Sequence, residues 1–358
     1  MHLKLAKTLF LLSCATLAAD EPAMNSDQST RQTPVPTEFT HTDSGRPHVK
    51  HGINLFVTGD YLCWHATEQK LIFAGNIETS DTLGLNAAKG KAVSAKFKWR
   101  SGFRVGLGYN IGHDQWDTRL IWTSFKDRAQ GHLSGSAEKL VFGSVSSPLF
   151  GITCFSAHTH LDLHSNLLDW ELGREFFTGK WLTLRPFAGL RGGWIDQKWK
   201  TEFDNSVTSA NLGTLDSFDV LLKQKFWGFG VRAGLDTNWK LIRGFSLYAD
   251  GAFSLLYSLF RDGRKESAIL GGVETVVLNG NESTRCEQTI LELQLGLRWD
   301  QMFAHDRCHF RLQAGWEHTV FLDHNRFFYF SEGTVESLME YGGNLAFQGL
   351  TVSARLDF

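Results

Sequence analysis

From Phe97 to Asn110 the chain alternates without a break. Phe97, Trp99, Ser101, Phe103, Val105, Leu107 and Tyr109 fall on one parity, and Lys98, Arg100, Gly102, Arg104, Gly106, Gly108 and Asn110 on the other. Successive side chains of a β-strand point to opposite faces, so such a segment has one oily face and one basic or small face. The same pattern recurs from Trp227, where Trp227, Phe229, Val231, Ala233, Leu235 and Trp239 oppose Gly228, Gly230, Arg232, Gly234, Asp236 and Asn238. It recurs again from Thr289, with Leu291, Leu293, Leu295, Leu297 and Trp299 opposite Glu292, Gln294, Gly296, Arg298 and Asp300.

A water-soluble β-sandwich also alternates, burying its oily face and wetting the other. Three features favour a membrane instead. The runs reach the length of about 9 to 11 residues that a tilted membrane strand needs. Aromatics gather at their ends as an interfacial girdle requires, and glycines on the polar face relieve crowding inside a narrow barrel. Aromatics make up 13% of the 358 residues, with 28 Phe, 12 Trp and 35 Gly, heavy for a soluble enzyme. Beyond the first twenty positions no apolar run approaches the roughly 20 residues of a membrane helix. The formal net charge of −2 offers no basic surface for a nucleic acid. The expected fold is therefore all-β, an antiparallel up-and-down transmembrane barrel of a bacterial outer membrane.

The first nineteen residues read as a signal peptide: Lys4 and Lys7, an apolar stretch from Thr8 to Leu17, then Ala18 and Ala19 before the cleavage point. A lipoprotein box at Leu11-Leu12-Ser13-Cys14 would leave about three apolar residues before it, against about 7 to 15 expected of such a core. Residues 20–50, rich in Ser, Thr, Gln and Pro, read as a disordered periplasmic leader, and 51–358 as the barrel.

Periodicity places ten strands, at Ile53 to Trp64, Lys96 to Tyr109, Gln115 to Phe125, Ala157 to Gly173, Trp181 to Trp199, Lys225 to Asn238, Gly244 to Ser258, Glu287 to Trp299, Cys308 to Phe321 and Ala346 to Phe358. Further strands within Glu68 to Gly75 or Asn325 to Met339 would raise the count to twelve or more. Short connections alternate with separations of roughly 20 to 30 residues, as periplasmic turns and outer loops do. An even count puts both ends in the periplasm. Leu161 and Leu163 are odd whereas Leu168, Trp170 and Leu172 are even, which implies a β-bulge between Asn166 and Leu168. Pro186 cannot donate to a ladder and calls for a bulge or kink. The last strand ends on an oily-face aromatic, Phe358, resembling the terminal strand that the barrel assembly machinery recognises.

The segments GDYLCW at Gly59–Trp64, GFRVGLGY at Gly102–Tyr109, LDWELGR at Leu168–Arg174 and LRPFAGLRGGWIDQ at Leu184–Gln197, with Phe97-Lys-Trp, Trp116-Asp and Trp122-Thr, resemble the Legionella-type major outer membrane protein family, found also in chlamydia-related bacteria. The resemblance covers about residue 53 to Phe358 and is weaker in the outer loops. It implies an abundant outer-membrane protein with porin-like and surface or adhesion roles, and it brings no catalytic residue or cofactor.

Pore-lining candidates are Lys98, Arg100, Arg104, Arg119, Arg185, Arg191, Arg232, Arg298, Arg311 and Arg355, with Asp250, Glu292 and Glu317, accompanied by Glu171 and Asp357. They form either a charged constriction that sorts solutes by sign or ion pairs that lock a packed lumen. The first reading is porin-like passage; its alternative is a non-conducting coat or adhesin. His158, His160, Asp162 and His164 share a parity and are expected to project into the lumen, as polar lining rather than a metal site. No nucleophile stands beside His158 and Asp162, so an enzyme is not expected. Among partners the sequence suggests outer-membrane lipid and lipopolysaccharide, a second copy of the chain, or disulfide-linked envelope proteins through Cys154, Cys286 and Cys308, which with Cys63 make four cysteines after the signal peptide and allow three pairings.

Overall fold

The computed structural model describes residues 45, 49, 52–78, 89–112, 115–135, 139–143, 145, 152–208, 214–327 and 342–358. The signal peptide and most of the leader lie outside them, as does nearly all of Asn325 to Met339. The strands are β1 (Leu55–Glu68), β2 (Ile72–Glu78), β3 (Lys89–Ser94), β4 (Trp99–Asn110), β5 (Trp116–Ser134), β6 (Lys139–Gly143), β7 (Ile152–Cys154), β8 (Ser156–Arg174), β9 (Phe176–Phe177), β10 (Leu182–Thr208), β11 (Thr214–Lys240), β12 (Phe245–Leu270), β13 (Val273–Phe303), β14 (Cys308–Asn325) and β15 (Gly343–Asp357).

Ten of them close a ring, β1-β4-β5-β8-β10-β11-β12-β13-β14-β15 and back to β1, every pair antiparallel. Closure leaves no edge, which a lipid solvent demands because it cannot hydrogen-bond an exposed backbone. The turns β4–β5, β11–β12 and β13–β14 are short and share one end with the start of β1 and the end of β15, where the Phe358 N–H donates to the Leu55 carbonyl at 2.9 Å. Short turns mark the periplasmic side. In the β11–β12 turn Gly244 sits at φ +82°, and a Cβ there would lie 2.6 Å from the Asp300 carbonyl oxygen.

At 26 to 31 residues, β10 to β13 are more than twice the length that spans a membrane. The surplus rises beyond the outer face of the lipid, and along it the chemistry of the two faces reverses. On β11 the even positions turn inward from Phe218 onward: Phe218, Val220, Leu222 and Phe226 first, then Gly228, Gly230, Arg232 and Asp236. The odd positions over the same span turn outward: Lys223 and Lys225, then the exposed Trp227, Phe229, Val231 and Leu235. Inside lipid the barrel is oily outside and polar within; above it the wall is polar outside and oily within.

This reversal corrects several expectations. No bulge interrupts β8, whose register with β5 and β10 is continuous from Ser156 to Gly173. Leu161 and Leu163 point into the outer core, while Leu168, Trp170 and Leu172 point to lipid. The expected separations of Trp199 to Lys225 and Ser258 to Glu287 are mostly strand, and the second closes in a turn at Gly271 and Gly272, both at positive φ as a tight hairpin needs. Pro186 pairs with Leu235 without a register shift, and the β8 ladder beside it begins only at Phe187, so its missing N–H costs little there. Phe97, read as lipid-facing, is buried in the outer core ahead of β4. The strand within Glu68 to Gly75 exists as β2, outside the ring.

The outer core is one cluster. Wall residues such as Trp199, Phe203, Phe218, Phe226, Phe260 and Phe347 supply most of it. A short sheet, β7-β6-β2-β3, hangs from the outer tip of β10 and adds Phe73, Ala74, Val141, Ile152 and Cys154. The segment after β14 adds Phe327, whose ring stands 5.5 Å from Trp199. A charge on the lipid face costs about 2 to 4 kcal/mol at the membrane midplane for Arg. Leu293→Arg, on that face, is therefore expected to lower the unfolding free energy in lipid vesicles by about this amount, and Gln130→Arg, outward above the membrane, to leave it within about 0.5 kcal/mol, as surface changes do.

Candidate functional site

The polar half of the lumen is the site that chemistry singles out, because small side chains on the inner face let long charged ones meet across it. Gly108 shows how: a Cβ there would collide with the Phe56 ring. Arg191 on β10 grips Asp169 on β8 with two bonds, Nε to Oδ1 at 2.6 Å and Nη2 to Oδ2 at 2.7 Å. The same guanidinium reaches Glu292 on β13 through Nη1 and Nη2, both at 3.0 Å. Arg232 Nη2 joins Glu292 at 3.0 Å. This is fork-to-fork pairing on both sides of one arginine, the geometry in which Arg binds carboxylates best.

Two further knots flank it. Arg104 on β4 binds Glu317 on β14 at 2.7 Å and Asp60 on β1 at 3.3 Å, and the Thr351 hydroxyl donates to Glu317 at 2.9 Å. Nearer the periplasm Arg185 binds Asp117 at 2.6 Å and Asp236 at 3.0 Å, with Arg119 Nε 3.2 Å from Asp117. Arg311 pairs with Asp300 at 2.8 Å and Arg355 with Asp357 at 2.6 Å, and His309 bridges Asp357 and Asp300 at 2.9 and 3.1 Å. Arg355 also lies 3.6 Å over the Phe56 ring, and Arg298 faces Tyr248 and donates to the Gln313 carbonyl at 3.1 and 3.0 Å. Asp250 stands directly across from Asp236, and among the described residues its buried Oδ1 has no hydrogen-bond partner.

The structure thus brings Arg104, Arg119, Arg185, Arg191, Arg232, Arg298, Arg311, Arg355, Asp250, Glu292 and Glu317 into one lumen. It does not bring Lys98 or Arg100. Lys98 lies on the outer surface beside Arg128 and His160, and Arg100 is half exposed, 3.7 Å from Asp127. Both precede or open β4 where the wall has already left the membrane, so the inward parity that fits Arg104 does not hold them inside. Asp60, Asp117, Asp169, Asp236 and Asp300 were not singled out, although parity alone puts Asp236 and Asp300 inside. Between these groups a cavity of about 170 Å3 remains, with Thr58, Arg119, Asp236, Asp250 and Gln294 in its lining. It is polar and roomy enough for several waters.

His158, His160, Asp162 and His164 project outward, not into the lumen. The Arg128 guanidinium holds Asp162, and the His132 and His158 rings stack at 4.2 Å with their Nδ1 atoms 3.2 Å apart. Among the described residues no group of three or more His, Cys, Asp or Glu is arranged to hold a metal ion. Cys63, Cys154 and Cys308 are free thiols, so no disulfide links any of them within the chain.

A thin polar thread crosses the outer core. Gln197 donates to Glu68 at 2.8 Å, Gln224 donates to Gln197 at 3.0 Å and to the His324 carbonyl at 2.9 Å, and His324 Nδ1 meets Gln288 at 3.0 Å. Phe226, Phe260 and Phe321 box the His324 ring. Burial pushes the Glu68 carboxyl up to about 8 against the pull of Gln197, and burial with the nearby Glu282 charge pushes Asp262 up to about 7. Burial pushes His324 down to about 3, helped by Arg326. Below about pH 6.5 the histidine, which takes a proton only when unfolded, opposes the two acids. Above it the acids act alone, binding protons that the unfolded chain has released, so stability falls as pH rises through 7 to 8. The thermal unfolding midpoint in detergent is expected to drop over that window, and Glu68→Gln to flatten the drop.

The family model described as Legionella pneumophila major outer membrane protein precursor matches residues 50–358. No curated protein matches the chain. Among solved structures, the outer membrane protease OmpT from Escherichia coli aligns at a TM-score of 0.42 and 12% identity, over 86% of this chain and 97% of that one. A TodX mutant monoaromatic hydrocarbon channel aligns at 0.28 and 12%, over 85% and 90%. A Pseudomonas aeruginosa FadL homologue aligns at 0.21 and 10%, over 85% and 89%.

Proposed function

The chain belongs to the Legionella pneumophila major outer membrane protein family, and from that premise we propose that it is a closed outer-membrane barrel with a structural and surface-displaying role rather than an open passage. As an exported barrel, it uses residues 1–19 as its signal peptide.

One observation carries the closure. The inward side chains of the outer half, among them Trp199, Phe203, Phe218, Phe226 and Phe260, are buried to within 2% of full enclosure in one continuous apolar cluster. A porin lumen is wide and wet, whereas narrow barrels fill with side chains. Beneath the cluster the charged groups are spent on one another. A carboxylate held by two guanidiniums has little left to offer a passing ion, and a solute would have to break bidentate pairs to enter. Between packed lumen and charged constriction, the geometry supports the packed lumen. The surface role rests on length: long strands raise a folded, polar-walled β-structure well clear of the lipid, where it faces the surroundings of the cell.

Planar bilayers test this. The refolded protein is expected to give no sustained conductance steps, and a variant with Trp199, Phe218 and Phe226 all cut to Ala is expected to give them. Ohmic steps from the unmodified protein, with an ion preference that shifts in Arg104→Gln, would contradict closure.

A further inference from the structure

Where the outer face turns from oily to polar, like charges stand directly opposite one another. On β10 and β11, Lys198 pairs in register with Lys223. One step towards the membrane, Lys225 on β11 pairs with Arg261 on β12. All four side chains are exposed on the outward face. Side chains opposite in an antiparallel ladder have Cβ atoms about 4.5 to 5.5 Å apart, and like charges there are destabilising. Two such pairs on three adjoining strands are a cost that a water-facing wall has no reason to carry.

Nearby acids offset it only in part. Asp196 faces Lys225 across the β10–β11 ladder but forms no ion pair with it, and Asp162, opposite Lys198 on β8, is taken by Arg128. Lys200, one step further out, is already bound to Glu202 and Asp219. Among the described residues none of the four cations has an ion pair. Their level is also defined. Trp194 and Trp227, directly opposite each other and exposed, end the lipid-facing stretch of β10 and β11. Lys225 is the next outward residue of its strand after Trp227, and Lys223 the one after that. Interfacial Trp sits at headgroup depth, so the four cations lie among the headgroups of the outer leaflet.

We propose that Lys198, Lys223, Lys225 and Arg261 form a binding site for the phosphate groups of an outer-leaflet glycolipid, whose negative charges sit between the like-charged pairs and relieve their repulsion. Two ammonium groups facing across one strand gap clamp a phosphate as point charges, and Arg261 adds a fork able to hold two phosphate oxygens. The exposed indoles of Trp194 and Trp227 lie against the acyl chains of the same molecule. The site rests on the barrel's outer-membrane placement and is independent of whether the lumen conducts.

The folded protein in mixed micelles, titrated with bisphosphorylated lipid A and with its dephosphorylated form and followed by tryptophan fluorescence, provides the test. The phosphorylated lipid is expected to bind at least tenfold more tightly, and K198Q/K223Q/K225Q/R261Q to lose that preference. K200Q is expected to keep it. Without lipid the quadruple variant should unfold at a midpoint no lower than the parent, since the two like-charge pairs it removes outweigh the exposed, unpaired attraction to Asp196 and Asp162. Equal affinity for the two lipids, an unchanged preference in the quadruple variant, displacement of the bound lipid by millimolar inorganic phosphate, or a lowered lipid-free midpoint would each overturn the proposal.

Discussion

A β-strand sends its side chains alternately to two faces, and without a bulge nothing along its length exchanges them. In this barrel the ladders through the membrane keep one register, and the irregularities among the wall strands, near Asn205 and Asp216, near Glu266 and beyond Phe321, fall in the outer extension. The chain therefore passes from lipid to water by changing what each face carries rather than by turning over. That one constraint yields a lower storey built as a membrane protein and an upper storey built as a soluble one, on continuous strands. It also explains why the aromatic girdle, the outward basic residues and the inward phenylalanines change over together at Phe226 and Trp227.

The lower storey holds its charge at a cost. Moving ions from water to a buried lumen costs several kcal/mol each, and pairs recover this only with good geometry and satisfied hydrogen bonds. Arg191, clamped bidentately from β8 and from β13, meets those terms, and its bonds tie opposite walls together. Such pairs resist slippage more than they add stability, because a one-residue shift would leave Asp169 or Glu292 buried and alone. Above, the stabilising effect is ordinary burial of apolar surface, broken by the thread from Glu68 to Gln288, whose polar groups mostly find one another.

The membrane half was legible because its alternation is strong and its chemistry is what a lipid solvent requires. Arg104, Arg191, Arg232 and Glu292 follow from parity alone, as does the ring of ten. The outer half was not, since a pattern read for oily-outside strands misreads a segment whose oily side is inside. Leu161 and Leu163 looked like a phase slip and His158 to His164 like lumen lining for the same reason, whereas Phe97 looked like a lipid contact because the parity of β4 does not extend to the non-strand residues before Trp99. The partners of each arginine were hidden for another reason: Asp60, Asp117 and Asp169 sit on strands far apart in sequence, and only the closed ring says which face which. A Glu as deeply buried as Glu68 carries no local mark in the sequence, because its neighbours, Gln197 on β10 and Leu345 on β15, are far away along the chain.

The central claim, constant parity with reversed faces, is tested most directly by a spin-label scan of β11 from residue 217 to 239, in a background without native cysteines. Labels at odd positions are expected to collide with a water-soluble nickel chelate up to residue 225 and with oxygen dissolved in lipid from 227 onward. Even positions from 218 to 226 should be shielded from both. Access of the chelate to those even positions, or a change of phase between 225 and 228, would contradict the account.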